Sequence, residues 1–303
     1  MSTAQPHLPS TKQLRYFVAL ADEQHFGRAA TRCFVSQSAF SVAIQELESV
    51  LGANLVDRTN RSVTITAVGK EVAVLAKLCL QDINTLVEAA RGYARPLHGP
   101  LHLGIIPTIA PFLLPRVLPK LRKGFPELKL YLYEDVTQRV YEQLMEGTLD
   151  VVILALPYAL PGVEEMELFQ DRFRLAARKG TTLVDPANFR LNRVHAGSVL
   201  LLREGHCLRE HAIEACKIRD SQKLHPFSAS SLLTLIEMVD ADLGITFLPE
   251  MAEDSAMLQR TQVATYPLAE SNYRTIGLVW RRGSPRSDEF RRLGELITQH
   301  HSG

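Results

Sequence analysis

The chain has 303 residues, 46% of them apolar and 22% charged, with a net charge of +1. That is ordinary for a soluble globular protein of two or three domains, and the near-zero charge excludes bulk basicity as an argument for nucleic acid. No apolar run approaches the roughly 18 residues of a membrane-spanning helix, and the N-terminus lacks the charged and apolar regions of a secretory signal.

Residues 1–10 read as a disordered tail. From Thr11 to Gln24, Leu14, Phe17, Val18 and Ala21 recur at the spacing of an amphipathic helix. His25–Cys33 is a second, short, Ala-rich helix. Ser36 is a good N-cap for a third helix running to about Leu51, with Gly52 to end it. Phe40, Ile44, Leu47 and Leu51 form its buried stripe; Gln37, Ser38, Ser41 and Gln45 lie opposite. Val56–Thr66 reads as a hairpin with Thr59–Asn60 near its tip. This order is that of a winged helix-turn-helix over residues 11–66. Small polar side chains at Ser36, Gln37, Ser38 and Ser41 suit base edges, and Arg58 and Arg61 on the wing suit phosphates. Charge is segregated in the same sense: 25–45 and 58–70 contain no acid. A three-helix bundle with a solvated polar face would show much of this pattern.

Residues 67–95 read as a long linker helix. Val72, Leu75, Cys79, Ile83, Leu86, Ala90 and Tyr93 repeat at close to 3.5 residues, a coiled-coil seam that implies a dimer. Cys79 on that seam and Cys33 in the second helix read as core packing.

Pro96, Gly99 and Pro100 open the region 96–303. Strands are expected at Leu101–Ile106, Leu128–Glu134, Leu149–Leu156, Arg172–Arg178, Val199–Arg203, Phe227–Ala229, Ile245–Leu248 and Thr275–Trp280. Helices alternate with them at Phe112–Lys123, Thr137–Glu146, Leu208–Lys217, Ser231–Asp240 and Asp288–His300. Alternation with continuous apolar strands predicts two α/β lobes on parallel sheet, with a cleft between them. Ligands in such folds bind at strand ends and helix N-termini. Thr108 and Thr137 stand at two such junctions, where either could be only an N-cap. The chain has no glycine-rich phosphate loop, no G-x-S-x-G elbow and no zinc-site spacing, so no cofactor or metal is expected.

Cys207 and Cys216 lie nine residues apart in LLLREGHCLREHAIEACK (200–217). A helix here puts their Cα atoms roughly 13 Å apart, whereas a disulfide needs about 7 Å or less. Bonding them would require the segment to be rebuilt. Cys207 begins the helix, with Arg203, His206, Arg209 and His211 near it in sequence, a setting that favours a thiolate. Two buried structural cysteines on an ordinary helix remain the competing reading. Four cysteines in a chain without an export signal suggest the reducing cytoplasm, where a disulfide would be transient and functional.

The segment HFGRAATRCFVSQSAFSVAIQELESVLGANLVDRT (25–59) resembles the DNA-binding signature of the LysR-type transcription regulators. GPLHLGIIPTIAPFLLP, GTLDVVILAL, EGHCLREHAIEAC and YRTIGLVWRRGSP resemble that family's peroxide-sensing members. The resemblance implies a two-lobed regulatory domain like the periplasmic binding proteins. It implies a peroxidatic Cys207, a resolving Cys216, and Thr108, Thr137, His206 and Arg274 around peroxide. It also implies a non-enzymatic cytoplasmic activator of oxidative-stress genes. Its partners would be an operator DNA duplex, further copies of itself (a homodimer, and a homotetramer by family likeness) and RNA polymerase. Ser38 stands where many relatives have Pro, and Glu204 where they have Asp. A LysR-type regulator that binds a small metabolite in the lobe cleft is the alternative function, and a thiol peroxidase is a third.

Overall fold

The computed structural model describes residues 8–58, 63–90, 96–268 and 272–301. The wing tip with Arg61 and the seam position Tyr93 lie outside those residues. The chain forms two compact units, Met1–Arg95 and Pro96–Gly303.

In the first unit, α1 (Thr11–Glu23) starts from Ser10, whose hydroxyl caps the Gln13 amide while the Gln13 side chain bonds back to Ser10. The short α2 (Phe26–Arg32) follows, then α3 (Gln37–Leu51), capped by Ser36 and ended by Gly52 at φ +65°. β1 (Val56–Arg58) and β2 (Val63–Ile65) pair antiparallel as the base of the wing. The long α4 (Ala67–Ala90) completes the unit. Phe17, Leu20, Phe40, Ile44, Leu47 and Leu55 are fully buried together, and Tyr16 stacks on Phe40 with ring centroids 5.1 Å apart. Burial of such side chains contributes roughly 1.5–3 kcal/mol each.

Two expectations change here. Leu51 is exposed, because α3 reaches past the core by its last residue. Cys79 is exposed too, with Leu75, Ile83 and Leu86. Val72 packs against the core of the first unit, but the seam positions Leu75, Cys79, Ile83 and Leu86 beyond it are left exposed.

In the second unit, β3 (Gly99–Ile105) pairs parallel with β4 (Leu128–Glu134) and β5 (Val151–Leu156). α5 (Ala110–Gly124) and α6 (Thr137–Met145) connect these strands. β6 (Val163–Arg178) and β9 (Tyr273–Arg281) are the long strands that join the lobes. β9 runs antiparallel to both β5 and the first half of β6. The end of β6 then pairs antiparallel with β7 (Thr246–Pro249) and β8 (Val263–Pro267). α7 (Cys207–Ala215), α8 (Leu232–Asp240) and the short α9 (Ala256–Gln259) belong to the second lobe, and α10 (Ser287–His300) packs back on β6 and β9.

The sheet is thus mixed, not parallel. β5 is apolar throughout because both its faces are buried, and burial does not specify strand direction. Val199–Arg203 and Phe227–Ala229 make only isolated parallel bridges, through Val199 to Leu224 and Ile245 and through Leu202 to Ala229. The first half of β6 and all of β8 are strands that the apolar pattern does not mark.

Candidate functional site

Four chain segments bring side chains to one buried polar cluster in the second unit. Thr108 follows β3, Thr137 is the first residue of α6, Cys207 is the first residue of α7, and Arg274 lies near the start of β9. All four are buried: Thr108, Thr137 and Arg274 are each 2% exposed and Cys207 is 8% exposed.

Arg274 is the organiser. Its Nη1 donates to Thr108 Oγ1 at 3.0 Å and its Nη2 to the Thr108 carbonyl at 2.9 Å. Its Nε donates to Asp171 Oδ2 at 3.0 Å. Asp171 faces Arg274 across the β6–β9 ladder, and its other oxygen accepts from the Met251 amide at 3.2 Å. Burial pushes the Asp171 carboxyl above its ordinary value, while Arg274 and the Met251 amide pull it back. Asp171 carries no motif; it stands between Gln170 and Arg172 on a strand that also carries Glu164, Glu165 and Glu167, so nothing in the sequence singles it out.

Cys207 sits at the N-terminus of α7 with His206 as N-cap and Gly205 at φ +93° before it. The sequence neighbours do not supply the expected cationic cradle. His206 and His211 are both held below the ordinary imidazole value, first by burial, so they are neutral near pH 7. The Arg209 guanidinium is turned to the Leu202 carbonyl at 3.1 Å. Burial pushes the Cys207 thiol up. The groups that oppose this come from elsewhere in the fold: Arg274, the Thr137 hydroxyl and the Ala155 amide. Thr137 Oγ1 has no conventional hydrogen-bond partner, and the softer contact with the thiol is what it has.

His206 is 7% exposed and interacts with the Ser230 backbone and Arg203. His211, one turn past Cys207 on the same helix face, feels Arg274 and meets the Pro157 backbone, and its Nδ1 is buried without a partner. The i+4 spacing from Cys207 was the signal for it. Cys216 is the C-cap of α7, half-buried, and its thiol is pushed up to about 12 by burial. Both thiols are free. The helix between them keeps them roughly 13 Å apart by its rise.

In the first unit, Ser36 caps α3 and its hydroxyl lies 3.2 Å from that of Ser38. Gln37 and Ser38 are exposed and Ser41 is half-buried. Arg58 ends β1 opposite Val63.

A family model described as the bacterial regulatory helix-turn-helix protein, lysR family, matches residues 11–70, and one described as the LysR substrate binding domain matches residues 94–302. The HTH-type transcriptional regulator EstR of Acinetobacter baylyi is 39% identical over 284 residues, covering 93% of this chain and 94% of that protein. The DNA-binding transcriptional dual regulator OxyR of Escherichia coli is 37% identical over 292 residues, covering 96% of each. Full-length OxyR from Pseudomonas aeruginosa, solved with a Cys-to-Asp substitution, superposes with a TM-score of 0.79 at 33% identity, covering 97% of this chain and 95% of that one. The reduced regulatory domain of OxyR2 from Vibrio vulnificus superposes with a TM-score of 0.65 at 42% identity, covering 68% of this chain and 97% of that one. With a winged helix-turn-helix unit and a two-lobed α/β unit both matched along their lengths, the chain belongs to the LysR family of helix-turn-helix transcription regulators.

Proposed function

We propose that this regulator senses hydrogen peroxide through Cys207 and answers by a reversible Cys207–Cys216 disulfide that changes how it engages its operator. The observation that carries this is the thiol at the start of α7, closed in with Thr137 and an Arg274 that also holds Thr108. The Thr108 hydroxyl accepts from Arg274, which leaves its own hydrogen to donate. Thr137 has the same capacity. The Thr137 hydroxyl meets the sulfur and Arg274 ties the Thr108 hydroxyl to the same cluster, so the two are the donors proposed to hold a peroxide in line with the thiol.

The chemistry balances without a cofactor. The Cys207 thiolate attacks one peroxide oxygen; the S–O bond forms, the O–O bond breaks, and the departing hydroxide takes a proton to leave as water. The Cys216 thiolate then attacks the sulfenic sulfur; the S–S bond forms, the S–O bond breaks, and the departing hydroxide takes up the proton that the Cys216 thiol gave up and leaves as a second water. A dithiol or glutathione-linked reductant returns both thiols. Cys216 cannot take its step while an intact α7 holds it at the far end from Cys207, so the second step waits on local unfolding.

In the same reading, the α4 seam joins two copies, and the spacing of two helix-turn-helix units on DNA is the output. Assembly to a tetramer and contact with RNA polymerase belong to this proposal, as does a cytoplasmic location. Base-edge contact is assigned to Ser36, Gln37, Ser38 and Ser41, and phosphate contact to Arg58 and Arg61.

A second reading is kept alive by EstR, whose name says nothing of peroxide. It is a regulator that binds a small metabolite in the cleft with inert thiols. Intact mass and thiol count on the full-length protein, before and after one equivalent of peroxide, separate the two. The peroxide reading expects loss of two thiols, at Cys207 and Cys216, and none from Cys207→Ser. Four thiols retained after peroxide would overturn it in favour of the metabolite.

A further inference from the structure

We infer that Val42 reads the 5-methyl group of a thymine in the operator, and that α3 reads A·T rather than G·C pairs. The inference rests on the operator-binding role of the first unit and not on the peroxide chemistry.

Val42 is 52% exposed in the middle of α3. At 100° per residue it points directly away from the buried Phe40, Ile44 and Leu47. Ser38 lies one turn before it, and Gln45 lies three residues after it; both are exposed. An isopropyl group set among the exposed Ser38, Ala39, Gln45 and Ser49 gains nothing from water. The general geometry of helix-turn-helix units sends this face into the major groove. There the thymine methyl is the one apolar feature that a base pair presents.

The rest of the helix agrees. Gln37–Leu51 contains no Lys and no Arg. Those are the side chains of the commonest specific contact, to guanine O6 and N7. Gln37 and Gln45 have the amide that pairs with adenine N6 and N7. Residues 25–45 carry no acid that would repel the duplex, and the acids Glu46 and Glu48 begin beyond Gln45. The helix is therefore built for adenine edges and a thymine methyl, with phosphate contact left to other elements.

The experiment uses the full-length protein. It first selects its own duplexes from a randomised library. Each thymine of the selected half-site is then replaced, one at a time, by deoxyuridine, which keeps every hydrogen bond and removes only the methyl. The wild-type protein is expected to lose about fourfold in affinity per half-site at one such position, about 0.8 kcal/mol for a methyl-sized group. Val42→Ala is expected to bind the thymine and deoxyuridine duplexes equally at that position, and to keep the deoxyuridine sensitivity of no other. Val42→Thr retains a methyl and is expected to keep part of the discrimination. An unchanged thymine preference in Val42→Ala would overturn the proposal, as would the absence of any methyl-sensitive position or a half-site in which G·C pairs dominate. A Val42→Ala protein that changes its oligomeric state and not its base preference would assign the side chain to a protein contact instead. Failure to enrich any duplex would overturn the operator-facing role of α3 itself. None of these outcomes depends on the response to peroxide.

Discussion

Cys207 is buried where a reactive thiol is commonly half-exposed. Burial alone would make it inert, so the reactivity proposed for it depends on the three groups that favour the thiolate: Arg274, Thr137 and the Ala155 amide. The sign of each is testable. With the thiol above its ordinary value, only a small fraction is ionised near neutrality. Oxidation of Cys207 by peroxide should then rise about tenfold per pH unit between roughly pH 6 and 8. A rate already level below pH 7 would contradict the burial argument. Thr137→Val removes a hydroxyl that favours the thiolate, so it raises the thiol further and shifts the rate profile to higher pH. The loss at fixed pH should be about threefold to tenfold, the scale of one hydrogen bond. Stopped-flow oxidation with Cys33 and Cys79 replaced by Ser isolates the signal.

At the scale of elements, two helices illustrate opposite designs. α4 starts where the wing returns, and Gly69 lets it do so. A Cβ there would lie 2.2 Å from the Leu55 carbonyl oxygen and 2.8 Å from Ile65 Cγ2. Gly to Ala in a helix ordinarily stabilises by about 0.5–1 kcal/mol. Gly69→Ala should instead destabilise the first unit, by about 1–3 kcal/mol as expected for overpacking against a backbone that must shift. Amide exchange in α1, α3 and α4 reads this. The fluorescence of Trp280, the chain's single tryptophan and fully buried in the second unit, should melt unchanged. α7 is built the other way. It has nine residues, no side-chain cap at His206, and left-handed residues at both ends, Gly205 and Lys217. So short a helix owes its stability to tertiary contacts, here the buried Leu208 and Ala212. It is a helix that can be given up.

Over the whole molecule, the proposed switch needs that local loss to reach the DNA. Cys207 and Cys216 cannot bond across an intact α7. Once bonded, they prevent it from re-forming, and Leu208 must repack or be exposed. Packed cores and interfaces move between discrete arrangements, so a covalent bond in one lobe can select a different association of copies. Hydrogen exchange on the reduced and oxidised full-length protein tests this. Amides of 206–217 should lose protection on oxidation, and the footprint on a selected duplex should change in extent. Equal protection of α7 with the disulfide demonstrably present would show that the switch works by another route.

The amino-acid sequence by itself determined the helix-turn-helix, because Ser36, Gly52 and the Phe40, Ile44 and Leu47 stripe are local signals of cap, stop and face. It also determined that the Cys207–Cys216 pair cannot coexist with the helix, because helical rise is fixed by the backbone. Strand direction was beyond it. β5 is equally apolar whether its neighbours run parallel or antiparallel, and it has β3 parallel on one side and β9 antiparallel on the other. The electrostatics of Cys207 were beyond it too. His206 and Arg209 are near in sequence, yet burial keeps the first neutral and a hydrogen bond to the Leu202 carbonyl turns the second away. The cation that matters, Arg274, is held by Asp171 from another strand. Charge acts through space and is governed by burial, and both are properties of the folded chain.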